Sequence, residues 1–428
     1  MRPLLYLATA VLTAVAAPAF AETIAITNAH IYSMGPAGEI ASGTVVVSGG
    51  GITAVGASAA IPAGARVIDA HGEVVTPGLV STNTPLSTVE ISEGVEETND
   101  NATASDRLSA AFDLQYAVNP NSVLIPIARL GGITDAIVTP SLRARDRKTL
   151  IFAGQAVVIH LGQGDLVEKP RAGMLLQMGE EGARIAGGSR AAEFVLLRAM
   201  LEDVRAYAKG RADYDLGRSR AYNLSREDLE ALIPVVEGRE PLVVSVGRAA
   251  DIRQVLKLAR EEKLKLILEG AEEGWIVAPE IAAAHVPVLL SGAADLPASF
   301  DMIGATLENA ARLNAAGVVV GIEDPPIYSG GRTPRIDAGR AVAHGLPFAV
   351  ALAAITINPA RIWGVADRIG SLEPGKDADI VIWSGDPLEP LSAPTAILIK
   401  GVEQPLRDRD LDLRDRYLHP GAMPAAYR

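Results

Sequence analysis

Asp69-Ala70-His71-Gly72-Glu73-Val74-Val75-Thr76-Pro77-Gly78-Leu79-Val80 divides the chain into two textures. Before it, residues 23–75 are short β-rich runs cut by turns, such as Thr44-Val45-Val46-Val47 and Ala65-Arg66-Val67-Ile68, with Gly49-Gly50-Gly51 between them. Such runs read as a small all-β unit. After Pro77-Gly78, strand-length apolar runs alternate with helical segments. Residues 242–246, 264–268, 286–290 and 318–322 are buried-type strands, whereas residues 248–263 and 301–316 place apolar side chains at the 3.6-residue spacing of a helix. Strand then helix, repeated, calls for parallel strands joined by crossover helices. Over residues 78–367 that alternation favours a closed barrel over an open sheet.

Toward the other end, a helical run over residues 348–363 gives way to Gly370-Ser371-Leu372-Glu373-Pro374-Gly375-Lys376-Asp377-Ala378-Asp379. The strand Ile380-Val381-Ile382-Trp383 and the β segment Ala396-Ile397-Leu398-Ile399-Lys400 follow. β texture therefore returns at the end. The simplest topology folds residues 22–77 and 368–406 into one small β-sandwich, with a TIM-like (β/α)8 barrel over residues 78–367 inserted between them. The charged and then Pro/Ala-rich tail, residues 407–428, is expected to wrap the surface. Ser225, with Asp228 three residues on, opens one helix as an approximate capping box. The acidic residues 90–106 read as a solvated loop.

Arg2, an uncharged apolar run over residues 4–17 and Ala19-Phe20-Ala21 together read as a secretory signal peptide, cleaved after Ala21. The run is too short to span a bilayer, and no later segment reaches that length. The expected location is periplasmic or secreted. A formal charge of −12 without a basic run argues against nucleic acid and anionic membranes as partners. The absence of cysteine excludes disulfides, thiolate zinc sites and cysteine nucleophiles. Any metal would rest on Asp, Glu or the six histidines, His30, His71, His160, His285, His344 and His419.

The segment over residues 69–80 resembles the sandwich-to-barrel junction of metal-dependent amidohydrolases, the imidazolonepropionase-like group in particular. Thr356-Ile357-Asn358-Pro359-Ala360-Arg361, residues 370–379 and Gly385-Asp386-Pro387 resemble that family's closing segment. Gly131-Gly132-Ile133-Thr134 and Leu296-Pro297-Ala298-Ser299-Phe300-Asp301 match between them. The resemblance implies a TIM-like barrel with a β-sandwich, a hydrolase of non-peptide C–N bonds, and zinc or another divalent metal. Pro77-Gly78 and Pro374-Gly375 also serve as turns, so these matches speak for the fold before the activity.

At the ligand positions the sequence departs from the family. The resemblance puts an Asp and a His-x-His pair after Leu79, where Ser81, Asn83 and Pro85 stand, a further histidine at Ser245, and the next at about Ala271. Proline has no donor atom, and a neutral amide is a poor zinc ligand. The strand-eight carboxylate corresponds to Asp324, which reads either as a surviving lone acid or as a capping carboxylate before Pro325-Pro326. His160 is the one histidine near a strand end of the barrel region, and it reads as a hydrogen-bonded structural residue. With three convergent ligands lacking, no cofactor is expected.

Gly162-Gln163-Gly164 and Gly187-Gly188-Ser189 are too short for a phosphate loop, and no Gly-x-Ser-x-Gly elbow accompanies Ser245. Glu272-Glu273 and Glu323-Asp324 are the carboxylate pairs open to acid/base work if buried together. Two readings remain open. One is a C–N hydrolase with an unusual site around Asp324. The other is a non-catalytic homologue that binds a small molecule in the old pocket, or forms a homo- or hetero-oligomer with another amidohydrolase.

Overall fold

The computed structural model describes residues 22–90, 99–103, 105, 107–142, 151–291, 297–324 and 334–418. The expected signal peptide, most of the acidic segment over 90–106, Pro325-Pro326 and His419 lie outside them.

The N-terminal strands are β1 (Ile24–Tyr32), β2 (Glu39–Ser48), β3 (Gly51–Gly56), β4 (Arg66–Asp69) and β5 (Val74–Pro77). The barrel region contributes β6 (Leu79–Thr84), β7 (Ile133–Val138), β8 (Phe152–Gln155), β9 (Val157–His160), β10 (Val167–Lys169), β11 (Met174–Gln177), β12 (Leu242–Val246), β13 (Leu266–Gly270), β14 (Val288–Ser291) and β15 (Val320–Glu323). β16 (Ile380–Trp383), β17 (Pro394–Ile399) and β18 (Val402–Glu403) end the series.

Both ends of the chain meet in one mixed sheet, ordered β18-β17-β16-β5-β1-β2-β3, with β4 also on β1. The hydrogen-bonding path is continuous, so the strands form a single sheet by pairing where two sandwich layers were expected. β1 makes this possible by bending. Asn28 takes a left-handed φ of 53° beside a register shift, so Ile24 to Thr27 pair with β4 and His30 and Ile31 pair with β5. One apolar core joins Ile24, Ile26, Ile31, Val45 and Val75 to Leu372, Ile380, Ile382 and Leu398.

Gly78 turns the chain into the second region, where a Cβ would sit 1.9 Å from Thr134 Oγ1. Its strands pair as β10-β9-β7-β6 and β15-β14-β13-β12-β11-β8, two sheets where a single closed ring was expected. β11 to β15 are parallel neighbours in register. β15 approaches β6 through the Asp324 amide, which donates to the Thr82 carbonyl at 3.0 Å. Val80, Ile137, Val158, Leu175, Val243, Ile267, Leu289 and Trp363 pack into one apolar cluster between the strands.

The helix expected over 248–263 is Ala249–Glu262, closed by Lys263 at a left-handed φ of 58°. Ser225 Oγ caps Arg226–Val236 by accepting from the Asp228 amide, but the Asp228 carboxylate takes the Ser109 and Ala111 amides, so the box is half made. The helix expected over 301–316 is instead a short turn, Phe300–Met302, and the helix Asn309–Ala315. Glu273 accepts the Gly304 amide, and Asn309 Oδ1 accepts the Trp275 amide, which draws the intervening residues away from helical bonding. The run over 348–363 is likewise split into Phe348–Ala353 and Ile357–Ile362. Pro359 lacks an amide hydrogen and is accommodated only in a first turn, so the helix restarts just before it. Glu90 is not solvated as expected, since its carboxylate takes Asn119 Nδ2, Ser122 Oγ and the Val123 amide. The described part of the tail contains the helix Arg409–Leu418.

Candidate functional site

Successive side chains of a strand alternate between faces, and paired residues of parallel strands share a face. Val243 and Ile267 lie in the apolar cluster, so two residues on, Ser245 and Glu269 point to the same interior, with Gln177 in register beside them. Leu289 is in the cluster as well, which turns Ser291 inward together with its partner Glu323. The apolar floor is thus topped by a polar layer at the C-terminal ends of the strands, the end where barrel enzymes build their sites.

Asn83 closes this layer. It is the bulged residue of β6, skipped in the pairing of Thr82 and Thr84 with β7, and it takes a left-handed φ of 56°. Asparagine tolerates that conformation better than most residues. Its Nδ2 donates to Glu269 Oε1 at 2.8 Å and to Glu323 Oε2 at 3.1 Å, and its Oδ1 accepts from Thr139 Oγ1 at 2.7 Å. One amide therefore ties two carboxyl groups from different strands. Burial raises the Glu269 carboxyl above its ordinary value, and it raises Glu323 well above, with the charge of Glu269 adding to it. Two buried carboxyls on one donor titrate as a pair, and near neutral pH the pair keeps a proton.

A chamber of about 280 Å³ opens beside them, lined by Asn83, Pro85, Asn101, Thr139, Gln177, Ser245 and Glu269 among others. A wider recess of about 630 Å³ shares Gln177, Glu181 and Ser245 with it and adds Glu272 and Asp301.

Asn83, Pro85 and Ser245 all line the chamber. Ala271 is fully buried one residue beyond β13, at a φ of 44°, so the inward residue at the end of that strand is Glu269. Asp324 is buried, accepts from Ser81 Oγ at 3.2 Å and does not line the chamber. The adjacent carboxylates point apart, because Glu273 takes the Ala249 and Gly304 amides while Glu272 lines the recess. His160 donates or accepts locally, with Asp165 O at 2.8 Å and the Gly162 amide at 3.0 Å. The residue that sequence reasoning missed is Glu269. Its signal was available, since it lies two residues after the apolar Ile267.

The residues present do not fit a metal. The point between Glu269 and Glu323 is taken by an amide that donates, Pro85 offers no donor atom, and among the described residues no three His, Asp or Glu side chains stand together as a ligand group.

Acids held above their usual range also lie away from the chamber. Burial, with the charge of Asp251, pushes Glu193 up to about 8, and burial pushes Glu240 up to about 7. As pH rises the unfolded chain loses these protons first, so the folded state binds more protons and stability falls. The lowered carboxylates, Asp69, Glu181, Glu261, Glu280, Glu373 and Asp415, act oppositely, but they are already ionised in both states above about pH 5.5 and leave the trend unchanged. The melting temperature is therefore expected to drop by roughly 5 °C or more between about pH 5.5 and about pH 8.5. A melting temperature that rises over this window, followed by circular dichroism, contradicts the burial of these acids.

The profile of the amidohydrolase family matches residues 173–404. The chain is 24% identical over 397 residues to the amidohydrolase tasK of Hapsidospora irregularis, a match covering 85% of this chain and 40% of that one. It thus spans well under half the length of that relative. It is 50% identical over 62 residues, 14% of each chain, to a 5'-deoxyadenosine deaminase of Methanosarcina mazei. Among solved structures it resembles an amidohydrolase from Thermotoga maritima MSB8, with a TM-score of 0.79 and 25% identity over 90% of this chain and all of that one.

Proposed function

The chain belongs to the amidohydrolase family and has its TIM-barrel-like α/β fold, and we propose that within this family it is a metal-free binding protein that holds a small molecule in the chamber at the strand ends. The family is usually metal-dependent. The observation that carries the proposal is the Asn83 amide, which stands between Glu269 and Glu323 and donates to one oxygen of each, where a metal ion would need both carboxylates. The substitutions at Asn83, Pro85 and Ser245 support the same reading, because none of them leaves an imidazole. The subgroup similar to imidazolonepropionase and the export of the mature chain from Glu22 are part of this proposal. So is a partner: the matched stretch of tasK is part of a longer polypeptide, which supports a role beside another chain or domain.

One observation favours a second reading, a hydrolase without metal. Glu269 borders the chamber and burial pushes its carboxyl up to about 7, the range of a general acid at neutral pH. Asp324 is a weaker candidate, being turned to Ser81.

Elemental analysis of the purified chain, prepared without chelators, is expected to find well under one equivalent of zinc, iron or manganese. Small amides, cyclic imides and acyl-dipeptides should not be turned over. A stoichiometric metal overturns the metal-free reading. Turnover that falls by roughly 10²-fold or more in Glu269→Gln, with Asp324→Asn as comparison, establishes the hydrolase instead.

A further inference from the structure

At the N-terminal ends of the strands, opposite the chamber, lies a cavity of about 900 Å³, within the range that accommodates a small organic ligand. Leu256, Leu266, Val286 and Ile362 give it apolar surface. Arg253, Lys257, Arg260, Lys263, Lys265 and Arg361 also line it, against one carboxylate among the described residues, Glu280. Two of these cations are paired, Arg253 with Glu280 at 2.9 Å and Lys257 with Glu261 at 3.9 Å. The nearby acids Glu261 and Glu262 are also held by Arg198 and Arg205 from another helix. Arg260, Lys263, Lys265 and Arg361 make no ion pair among the described residues.

A second observation concerns the backbone that presents these side chains. The turns leading from a helix into β12, β13, β14 and β15 each pass through a left-handed residue: Gly238 at a φ of 72°, Lys263 at 58°, His285 at 53° and Gly317 at 90°. Glycine is the favoured residue at such a helix end because it has no Cβ to clash. The chain departs from glycine at Lys263 and His285, and both line the cavity. Lysine bears a steric cost there that glycine avoids, so a cation is kept at this point against the local preference of the backbone.

We propose that this cavity binds a small organic phosphate, with the phosphate among Arg260, Lys263, Lys265 and Arg361 and an apolar body against Leu256, Leu266, Val286 and Ile362. Cations without partners repel one another, and a cavity lined by one sign of charge concentrates counter-ions, here in a chain whose formal charge is −12. A phosphate monoester carries about two negative charges near neutral pH and offers three acceptor oxygens, more than a single carboxylate brings. Ammonium and guanidinium groups only donate, and the arginine fork matches phosphate geometry. The site is separate from the chamber and independent of what the chamber holds.

Calorimetric titration of the full chain with phenyl phosphate, inorganic phosphate and the uncharged benzyl alcohol tests the idea. Phenyl phosphate should bind roughly 10-fold or more tightly than inorganic phosphate, and benzyl alcohol should not bind detectably, with affinity falling as salt is raised. Lys265→Gln and Arg361→Gln should each weaken binding by roughly 5-fold or more, while Lys209→Gln, which does not line the cavity, leaves it unchanged. Lys263→Gly separates binding from folding. Glycine adopts the left-handed turn freely, so this variant should melt no lower than the parent by circular dichroism and still lose affinity. Absence of phenyl phosphate binding overturns the proposal, as does benzyl alcohol binding equally well or affinity indifferent to all three lining variants. Inorganic phosphate binding as tightly as phenyl phosphate overturns it too, because the apolar surface would then have no part in recognition.

Discussion

Asn83→Asp is expected to destabilise the chain by about 3 kcal/mol at about pH 8, with much of the loss recovered at about pH 5.5. The substitution changes shape very little, and aspartate tolerates the left-handed φ of 56° as asparagine does. What changes is chemistry. The group that donates to Glu269 and Glu323 becomes a third acceptor, facing two carboxyls in a buried site. The protein then keeps additional protons or leaves charges unpaired, and both are costly when water is excluded. Acid relieves the conflict by protonating all three groups, so the penalty must shrink as pH falls. Urea denaturation of parent and variant at the two pH values measures it. A variant as stable as the parent at the higher pH would mean that the two glutamates do not share this amide.

The sequence revealed the scaffold better than the site, for a reason visible in particular residues. Apolar patterning is local: Leu242 to Val246 is a strand both by its apolar run and in the structure, and Pro77-Gly78 marks the entry to the second region because only glycine fits against Thr134. The site depends on register. Asn83 reaches the interior through a bulge, which no run of residue types announces. Glu269 reaches it because β13 runs on to Gly270, past the apolar run that ends at Leu268, whereas the resemblance put the ligand position at about Ala271, two residues further along. Glu323 and Asp324 are neighbours in sequence, yet one bonds Asn83 and the other Ser81. The pairing that matters joins Glu269 on β13 to Glu323 on β15 across the intervening β14, and only the fold brings them to one amide.

Truncation after Gly370 is expected to abolish cooperative folding, including that of the N-terminal strands. β16 is an interior strand, hydrogen-bonded to β5 on one side and β17 on the other, so its loss strips β5 of a full ladder. The shared core would lose Leu372, Ala378, Ile380, Ile382 and Leu398, leaving Ile24, Ile26, Ile31 and Val75 without cover. Trp383 would go as well. It donates from Nε1 to Thr76 Oγ1 at 2.9 Å and fills the space above Gly132, where a Cβ would come within 2.3 Å of its ring, so the barrel region would be left with a cavity at the junction. Each fully buried apolar side chain contributes about 1.5–3 kcal/mol, and the whole chain's stability is of the order of 5–15 kcal/mol. Removal of this many exceeds that margin, because the two ends are halves of one core. The truncated chain should be insoluble or show no cooperative thermal transition by calorimetry, whereas a transition near the parent temperature would mean that each end folds independently.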